Sequence, residues 1–323
     1  MRNIDEGLAL HAQREVDLQK VFAVLWGGRL SIFLITLAFA SASVFIAVSV
    51  SDRYRSEATL VPRVESRPGG ALGQLAAQYG GLAGIAGVSL GGMGEADKSR
   101  VALHVLKSRN FFEKYLYESV LVDLMAATGW DPASNLTIIE PSIYDPQTKA
   151  WVRKVSAPLS AKPSVQEAYE KFVQDHVEIT DDKQLGIVTV AVVHYSPEVA
   201  RDWVFMLVDG VNDAVRQRDV QEAENSIIFL NEQTKKTSLV SLTEVFADLI
   251  EQQTKTVMLA NASTEYVFQI IDPPVAAEVK SEPNRALISI LGAASGGTLA
   301  LFYVLIRHYF RTRSGLKRDE AES

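Results

Sequence analysis

Two long apolar runs near the ends of the chain dominate its pattern of hydrophobic and polar positions. They are Leu30–Val50 and residues 286–306, and charged residues flank both. Each run has about 20 residues, which at 1.5 Å of helical rise per residue can cross a hydrocarbon core of about 30 Å. The pattern therefore predicts two transmembrane helices that enclose one middle domain, residues 51–285.

The first apolar run differs from a secretory signal peptide. It begins only at Leu30, after a polar segment of mixed charge, and no A-x-A cleavage site lies near its end. We interpret it as an uncleaved transmembrane helix. Ser41 and Ser43, which lie among alanines, give it a small-residue face suited to packing against another helix.

Basic residues near the two runs predict their orientation. The tail after the second run carries Arg307, Arg311, Arg313, Lys317 and Arg318. Short flanks rich in lysine and arginine stay in the cytoplasm, whereas long domains translocate largely regardless of charge. Residues 1–29 and 307–323 are thus predicted to be cytoplasmic, with the middle domain outside. Helical spacing within residues 1–29 predicts an amphipathic helix at the membrane surface, and a frayed polar tail is the alternative.

Short periodic segments and turn signals alternate through the first half of the middle domain. Residues 53–62 predict a strand, and the periodic residues 95–125 predict helix. Residues 129–163 are broken by five prolines and predict loops.

A short helix and a strand pair are predicted next. Residues 164–176 predict a helix that starts with a capping box formed by Ser164 and Glu167. Val177–Ile179 and Gly186–His194 predict strands on either side of a turn at residues 180–182.

One unusually long helical segment follows. Ser196 and Pro197 form a helix start, and no proline occurs from there to residue 262. As one continuous helix, residues 197–262 would be about 100 Å long, although a break near Thr237–Ser241 also fits the pattern. Two apolar stripes predict packing at both ends around a solvated middle. They are Val204, Leu207, Val208, Val211 and Val215 in the first stripe, and Leu242, Val245, Phe246, Leu249 and Ile250 in the second.

A proline-rich approach leads from a predicted strand at Thr264–Ile271 to the second apolar run. Pro273, Pro274 and Pro283 each lack a backbone donor and disfavour helix in the preceding residue. Residues 272–284 are therefore predicted to be extended, with the membrane helix starting just after Pro283.

Gly292 and Gly296 form a small-xxx-small pattern inside the second apolar run. Such a pattern lets two helix backbones approach closely in a membrane. We expect this face to pack against Leu30–Val50 or against a neighbouring subunit. The alternative is that glycine is simply tolerated in a membrane helix.

Composition and motifs argue against catalysis and against nucleic-acid binding. The net charge is −7, and no run of five or more basic residues occurs. The chain has no cysteine, which excludes disulfides and thiolate chemistry. Its five histidines are scattered without metal-ligand spacing, and the acids of the long helix, from Asp213 and Asp219 to Glu232, alternate with basic and amide residues as on a solvated face. We therefore predict no catalytic residue, no metal site and no cofactor.

A glycine-rich segment lies early in the middle domain. Ten of the 20 glycines fall between Gly69 and Gly94, without a phosphate-binding motif. We expect a mobile, weakly apolar loop that contacts the membrane or a neighbouring subunit.

Four stretches together resemble the Wzz-type polysaccharide co-polymerases, the chain length determinant family. They are the entry segment REVDLQKVFAVLW, the first external strand YRSEATLVP, the helix end LIEQQTKTVMLANASTEYVFQIIDPP, and PVAAEVKSEPNRALISILGAASG, which overlaps the second apolar run. Pro274, Pro283, Gly292 and Gly296 are the residues that match the family's signature in the last stretch. The family usually has a serine-proline-lysine step there, whereas this chain reads Lys280-Ser281-Glu282-Pro283.

The resemblance implies a membrane-anchored α/β protein of the bacterial inner membrane, with two transmembrane helices flanking a periplasmic α+β domain that contains a very long helix. Such a protein forms a homo-oligomer and sets the chain length of an O-antigen-like polysaccharide, or lipid-linked glycan, made by a Wzy-type polymerase, without catalysing the reaction. The alternative is a relative that exports capsule or exopolysaccharide through an outer-membrane channel. Some relatives carry a cytoplasmic tyrosine kinase; this sequence ends soon after Ile306 without a Walker motif, so no kinase is expected.

Overall fold

The computed structural model describes residues 24–63, 95–237 and 239–319, and in 95–97 and 309–319 only the backbone. Most of the N-terminal segment and the glycine-rich segment 69–94 lie outside the described residues. The chain divides into two compact units, residues 1–51 with 282–323 and residues 52–281. In chain order the elements are α1 (Arg29–Ser49), β1 (Tyr54–Pro62), α2 (Glu95–Leu106), α3 (Arg109–Tyr115), α4 (Tyr117–Ala126), β2 (Ala127–Asp131), β3 (Leu136–Ile139), β4 (Tyr144–Asp145), β5 (Ala150–Trp151), α5 (Val165–Asp175), β6 (Val177–Asp182), β7 (Ile187–His194), α6 (Pro197–Lys236), α7 (Val240–Ala262), β8 (Phe268–Asp272) and α8 (Arg285–Asp319).

The first unit contains the two apolar helices α1 and α8. By length and composition, Arg29–Ser49 and Arg285–His308 could each cross a membrane. Gly28 lies against Val304, and Ser43 lies against Gly292. Residue numbers rise from 28 to 43 on the first helix while those of the contacted residues fall from 304 to 292. The two helices therefore pack antiparallel.

The second unit is built around an antiparallel four-stranded sheet of order β6-β7-β1-β8. Successive side chains of a strand point to opposite faces, so alternate residues of β1 share one face. Ala58 and Leu60 are buried there and pair in register with Val190 and Val188 of β7. The resulting apolar face forms the base of the core.

The first half of α6 covers this core. The side chain of Ser196 accepts a hydrogen bond from the backbone of Val199, and Pro197 opens the helix, as predicted. All five residues of the first predicted stripe are at most 1% exposed. That part of the long-helix prediction is confirmed.

The long helix is not continuous. Helix α6 ends at Lys236, and Thr237 is extended, with φ −97° and ψ 143°. Serine and β-branched threonine favour helix poorly, which explains a break at this point. The predicted alternative, a break near Thr237–Ser241, is therefore correct, and α7 packs back along α6.

The secondary structure of residues 95–163 differs in part from the prediction. The helical stretch is confirmed but has two interruptions, and the side chain of Ser108 caps the second of its three helices. The prediction of loops over 129–163 was wrong in part, because β2 pairs with β3 and β4 pairs with β5. Pro132 and Pro146 lie in the turns of these hairpins, so they leave both ladders intact.

Of two local predictions around α5, the capping box is confirmed and the turn needs correction. Ser164 caps α5 as predicted, and the carboxylate of Glu167 accepts a hydrogen bond from the backbone of Ser164, which completes the predicted capping box. The same carboxylate also pairs with Arg153. Strand β6 continues through the predicted turn to Asp182. The chain reverses after it, where Gly186 has a positive φ of 68° that only glycine adopts without strain.

Candidate functional site

Gly292 and Gly296 lie where α8 contacts α1. A Cβ atom added to Gly292 would be 2.2 Å from the Cβ of Ser43, and one added to Gly296 would be 2.4 Å from the Cβ of Phe39. Both distances are far shorter than a van der Waals contact, so no larger residue fits without moving the helices. The two glycines therefore set the separation of the α1 and α8 backbones.

The contact continues from the two glycines toward the C-terminal part of α8, with a spacing of four residues. After Gly292 and Gly296, Ala300 and Val304 are buried on α8. Most large apolar side chains of the two helices are instead exposed, among them Phe33, Leu34, Phe45, Leu291 and Phe302. Helices that pack in lipid are expected to have small residues where they contact each other and large apolar residues on their outer surface.

The approach to α8, residues 273–284, contains no helix, as predicted, although the backbone bends at Glu278 and Val279. Pro274 is buried in the second unit, whereas Pro283 is partly exposed and precedes the first turn of α8. The side-chain oxygen of Asn284 accepts a hydrogen bond from the backbone of Leu287 at 3.1 Å and thereby caps α8.

Backbone and side-chain bonds attach this approach to the start of β1. The hydroxyl of Ser56 donates to the carbonyl of Val275 at 2.8 Å, and the backbone of Ser281 donates to the carbonyl of Arg53 at 2.9 Å. The ammonium of Lys280 lies 3.2 Å from the carboxylate of Asp52. The two ends of the second unit are therefore joined side by side.

Asp219 corrects the prediction that the acids of the long helix are solvated. Its carboxylate is 3.1 Å from the ammonium of Lys98 and accepts a hydrogen bond of 2.9 Å from the hydroxyl of Tyr266. Lys98 also donates to the oxygen of Tyr266 at 3.1 Å. Three elements thus meet in one partly buried cluster that spacing along the sequence does not reveal.

Electrostatics keep this cluster in one protonation state near neutral pH. Burial opposes the charge of Lys98, but its hydrogen bond to Tyr266 and the charge of Asp219 outweigh burial and raise its pKa. Burial raises the pKa of Tyr266. A protonated tyrosine beside a charged lysine–aspartate pair holds α2 and α6 to the segment before β8, and it offers no activated nucleophile.

His176 and His194, predicted to be scattered, lie together in the core. Their ring centroids are 5.6 Å apart, and Trp203 packs against both. Nδ1 of His176 donates to the carbonyl of Val193 at 2.7 Å, and Nδ1 of His194 accepts from the backbone of Ser196 at 3.1 Å. Because its Nδ1 accepts a hydrogen bond, the ring of His194 is neutral. Within the described part of the chain no group of His, Cys, Asp and Glu could hold a metal ion.

Burial lowers the pKa of His176 to about 4 and that of His194 to about 3. Because these values lie below the ordinary value of 6.5, the unfolded chain binds more protons than the folded one in mild acid. The stability that neutral histidines provide is thus complete above about pH 6.5 and is lost as the pH falls toward 4.

We expect the free energy of unfolding to fall by about 2 kcal/mol per buried histidine between pH 7 and pH 5. Thermal unfolding of the detergent-solubilised chain across this range measures it. His176→Gln should flatten the dependence on pH, whereas the same change at the exposed His104 should leave it unaltered. If the unfolding free energy depends on pH equally in wild type and in His176→Gln, then His176 is not a buried neutral histidine.

The second predicted apolar stripe is only half covered. Leu242 and Val245 of α7 are 41% and 47% exposed, and of α7 only Ala260 is fully buried. The outer half of α6 adds the exposed side chains of Ile228 and Phe229. Residues 219–262, here called the α6–α7 hairpin, therefore present apolar surface that the other described residues leave exposed.

One surface depression among the described residues is open and lined by polar side chains. It has a volume of about 420 Å³, and its lining is Arg109, Asn110, Glu113, Gln166, Tyr169 and Glu170. A cleft of this kind lacks the apolar walls and the converging groups that small-molecule sites use. It supplies no arrangement recognisable as a catalytic centre.

Comparisons with known proteins agree with the motifs in the sequence. Residues 14–119 match the family model Wzz, described as chain length determinant protein, which bears out the resemblance to that family. A search of curated proteins finds no match. Over residues 14–119 the chain is thus similar to the chain length determinant family.

Solved structures match as well, and two of them are polysaccharide co-polymerases. One is described as a full-length bacterial polysaccharide co-polymerase (13% identity, TM-score 0.38, 92% of this chain and 98% of that chain). The other is a fragment of WzzB, a polysaccharide co-polymerase from Salmonella Typhimurium (13% identity, TM-score 0.30, 72% of this chain and 100% of that chain). Both TM-scores are below 0.5, so neither likeness supports a conclusion about this chain.

Proposed function

We propose that this protein is a non-catalytic regulator of surface polysaccharide chain length that works with a Wzy-type polymerase. The match of residues 14–119 to the chain length determinant family carries the proposal. The polar, open character of the surface depressions among the described residues is consistent with a role in binding or positioning a glycan. Pro274, Pro283, Gly292 and Gly296 form the structural signature of the membrane anchor.

The proposed location is the inner membrane, with the second unit in the periplasm. Helices α1 and α8 have the length and apolar composition to cross a bilayer, and their large apolar side chains face outward. The basic residues after Ile306 favour a cytoplasmic tail. Both chain ends are then cytoplasmic, and residues 51–285 face the periplasm.

The proposed active form is a homo-oligomer. The α6–α7 hairpin exposes Ile228, Phe229, Leu242 and Val245. Soluble monomers rarely expose contiguous apolar patches, which usually mark an interface. A second copy of the chain is the partner that the family match favours.

Deletion of the gene is expected to replace a narrow distribution of glycan lengths by a broad one dominated by short chains. The physical reason is that the polymerase would then stop at random instead of in a length-dependent manner. Electrophoresis of the extracted surface glycan measures the banding. An unchanged distribution after deletion would overturn the proposed function.

The same deletion strain tests the oligomer. Wild type should restore the banding, whereas Phe229→Glu, which places a charge on the apolar face, should not. Glu232→Gln, an exposed change one turn away, is the matched control. Restoration by both variants would exclude this face as the functional interface.

A second candidate function is export of capsule or exopolysaccharide through an outer-membrane channel. The glycine-rich sequence between Gly69 and Gly94 favours it. Deletion should then abolish surface polymer instead of changing its length, so one experiment separates the two functions.

A further inference from the structure

The β2–β3 hairpin has one outward apolar face. In its register, Leu136 is opposite Asp131 and Ile138 is opposite Gly129, while Trp130 pairs with Thr137. Because side chains alternate along a strand, Leu136 and Ile138 share one side of the ribbon. They are 65% and 50% exposed, although both are large aliphatic residues.

The other side of the ribbon joins the hairpin to the start of β1. The ring of Trp130 meets the ring of Tyr54 edge to face, with centroids 5.3 Å apart. The indole N–H of Trp130 donates to the side chain of Asn135 at 3.0 Å, so its polar edge is satisfied within the hairpin. The hairpin is therefore held firmly beside Tyr54.

Tyr54 is close along the chain to both apolar helices. It follows Ser49, the last residue of α1, by five positions, which at about 3.5 Å per residue bounds their separation to about 18 Å. The backbone of Ser281 bonds to the carbonyl of Arg53, and only four positions separate Ser281 from the first residue of α8. Both chain connections to the apolar helices therefore start beside the hairpin.

We propose that the β2–β3 hairpin inserts Leu136 and Ile138 into the surface of the bilayer that α1 and α8 cross. The inference rests on the proposed function, because it needs those helices to span a membrane. It adds a third lipid contact, made by the second unit itself.

A lipid surface suits this face better than a protein does. Two aliphatic side chains cannot bury the 1,200 Å² or so that a stable protein–protein interface needs. A tethered face needs much less, because the chain connections keep it at high effective concentration near the membrane. Burial of apolar side chains at the boundary of headgroups and acyl chains is itself favourable.

Charge at the tip favours shallow insertion. The carboxylate of Asp131 accepts hydrogen bonds from the backbone of Ala133 and from Ser134, and the bond from Ser134 is the main reason that its pKa is lowered. An ionised aspartate resists deep burial in lipid. The contact should therefore depend on the aliphatic residues and only weakly on anionic lipid or salt.

The chain has no cysteine, so single-cysteine variants of the full-length protein can each carry one fluorophore. We would label Ile138→Cys, Leu185→Cys and Leu37→Cys in lipid nanodiscs. Leu185 is the matched control, because it is a 70% exposed leucine in the β6–β7 turn, at the end of the sheet opposite to Tyr54. Leu37 lies near the middle of α1 and reports whether that helix is in lipid.

Lipids brominated near the headgroup should cause about a twofold loss of emission at Ile138→Cys, because an interfacial face lies within reach of the bromines. These lipids should leave the emission of the label at Leu185→Cys unchanged. Aqueous iodide should quench that label instead, because Leu185 is exposed. Equal responses of these two labels would overturn the inference. So would a label at Ile138→Cys that is shielded from both quenchers, since that result means a protein contact.

The label at Leu37→Cys distinguishes failure of the hairpin contact from failure of the membrane anchor. If lipid with bromines deep in the acyl chains quenches it but Ile138→Cys behaves as Leu185→Cys does, the inference fails and the membrane anchor stands. If the same lipid leaves Leu37→Cys bright, the proposed membrane anchor fails and this inference fails with it.

Discussion

Replacing Gly292 and Gly296 together by leucine is expected to leave membrane insertion intact and to abolish control of glycan length. Insertion depends on apolar length, which leucine increases. Packing depends on the close approach of α1 and α8, where even a Cβ atom would come within 2.4 Å of Ser43 or Phe39. The two helices must then separate or rotate.

The measurement is the banding of the surface glycan in a deletion strain that expresses the variant, with membrane extraction as the check on insertion. Gly297→Ala is the matched control, because a Cβ there would meet only the Thr36 hydroxyl at 3.8 Å. Wild-type banding in the double variant would mean that both glycines are simply tolerated.

A second-site change distinguishes packing within one chain from packing between subunits. Ser43 supplies the two nearest atoms to a Cβ at Gly292, and the next atom, the carbonyl oxygen of Phe39, is at 3.6 Å. Ser43→Gly should therefore restore function to the single variant Gly292→Ala. Failure of this rescue would assign the critical contact to another copy of the chain.

The sequence predicts those parts of the fold that one periodic pattern determines. The stripe from Val204 to Val215 lies on one helix face, and all of it is buried in one continuous hydrophobic core. The extended approach to α8 is likewise local, since Pro283 excludes helix before it.

Other features depend on contacts between distant segments. The two β-hairpins of residues 127–151 were missed because Pro132 and Pro146 signal breaks, whereas both lie in turns. Asp219 looks solvated among its charged neighbours, but Lys98 and Tyr266 reach it from two other elements. Pairing of His176 with His194 follows from β6 lying beside β7, which no local spacing specifies.

In the candidate site, too, the sequence predicts what a local pattern determines and misses what depends on contacts between distant segments. The small residues of the second apolar run indicate a packing face, but only the structure identifies Ser43 and Phe39 as its partners. The exposed stripe on α7 was predicted to be packed. Its amphipathic pattern is real, but among the described elements α7 packs mainly against α6, and Leu242 and Val245 stay 41% and 47% exposed.

Asn212→Leu should be among the most destabilising single changes in the second unit. Asn212 is 2% exposed on α6, and its side-chain oxygen accepts from the backbones of Val267 and Phe268 at 2.8 and 2.9 Å. Its amide also donates to the carbonyl of Phe268 at 3.1 Å. Leucine has a similar volume but leaves three buried backbone groups without a partner, which costs about 3 kcal/mol or more.

The loss should appear as a fall in melting temperature of about 10 °C, by the scaling for a domain of roughly 200 residues. Asn231→Leu is the matched control, because Asn231 is exposed on the same helix and bonds only to the carbonyl of Ile227 one turn earlier. Strand β8 leads directly into the approach to α8, so weakening its attachment to α6 should also broaden the glycan length distribution. Equal melting temperatures for the two variants would show that the bonds of Asn212 do not hold β8 in place.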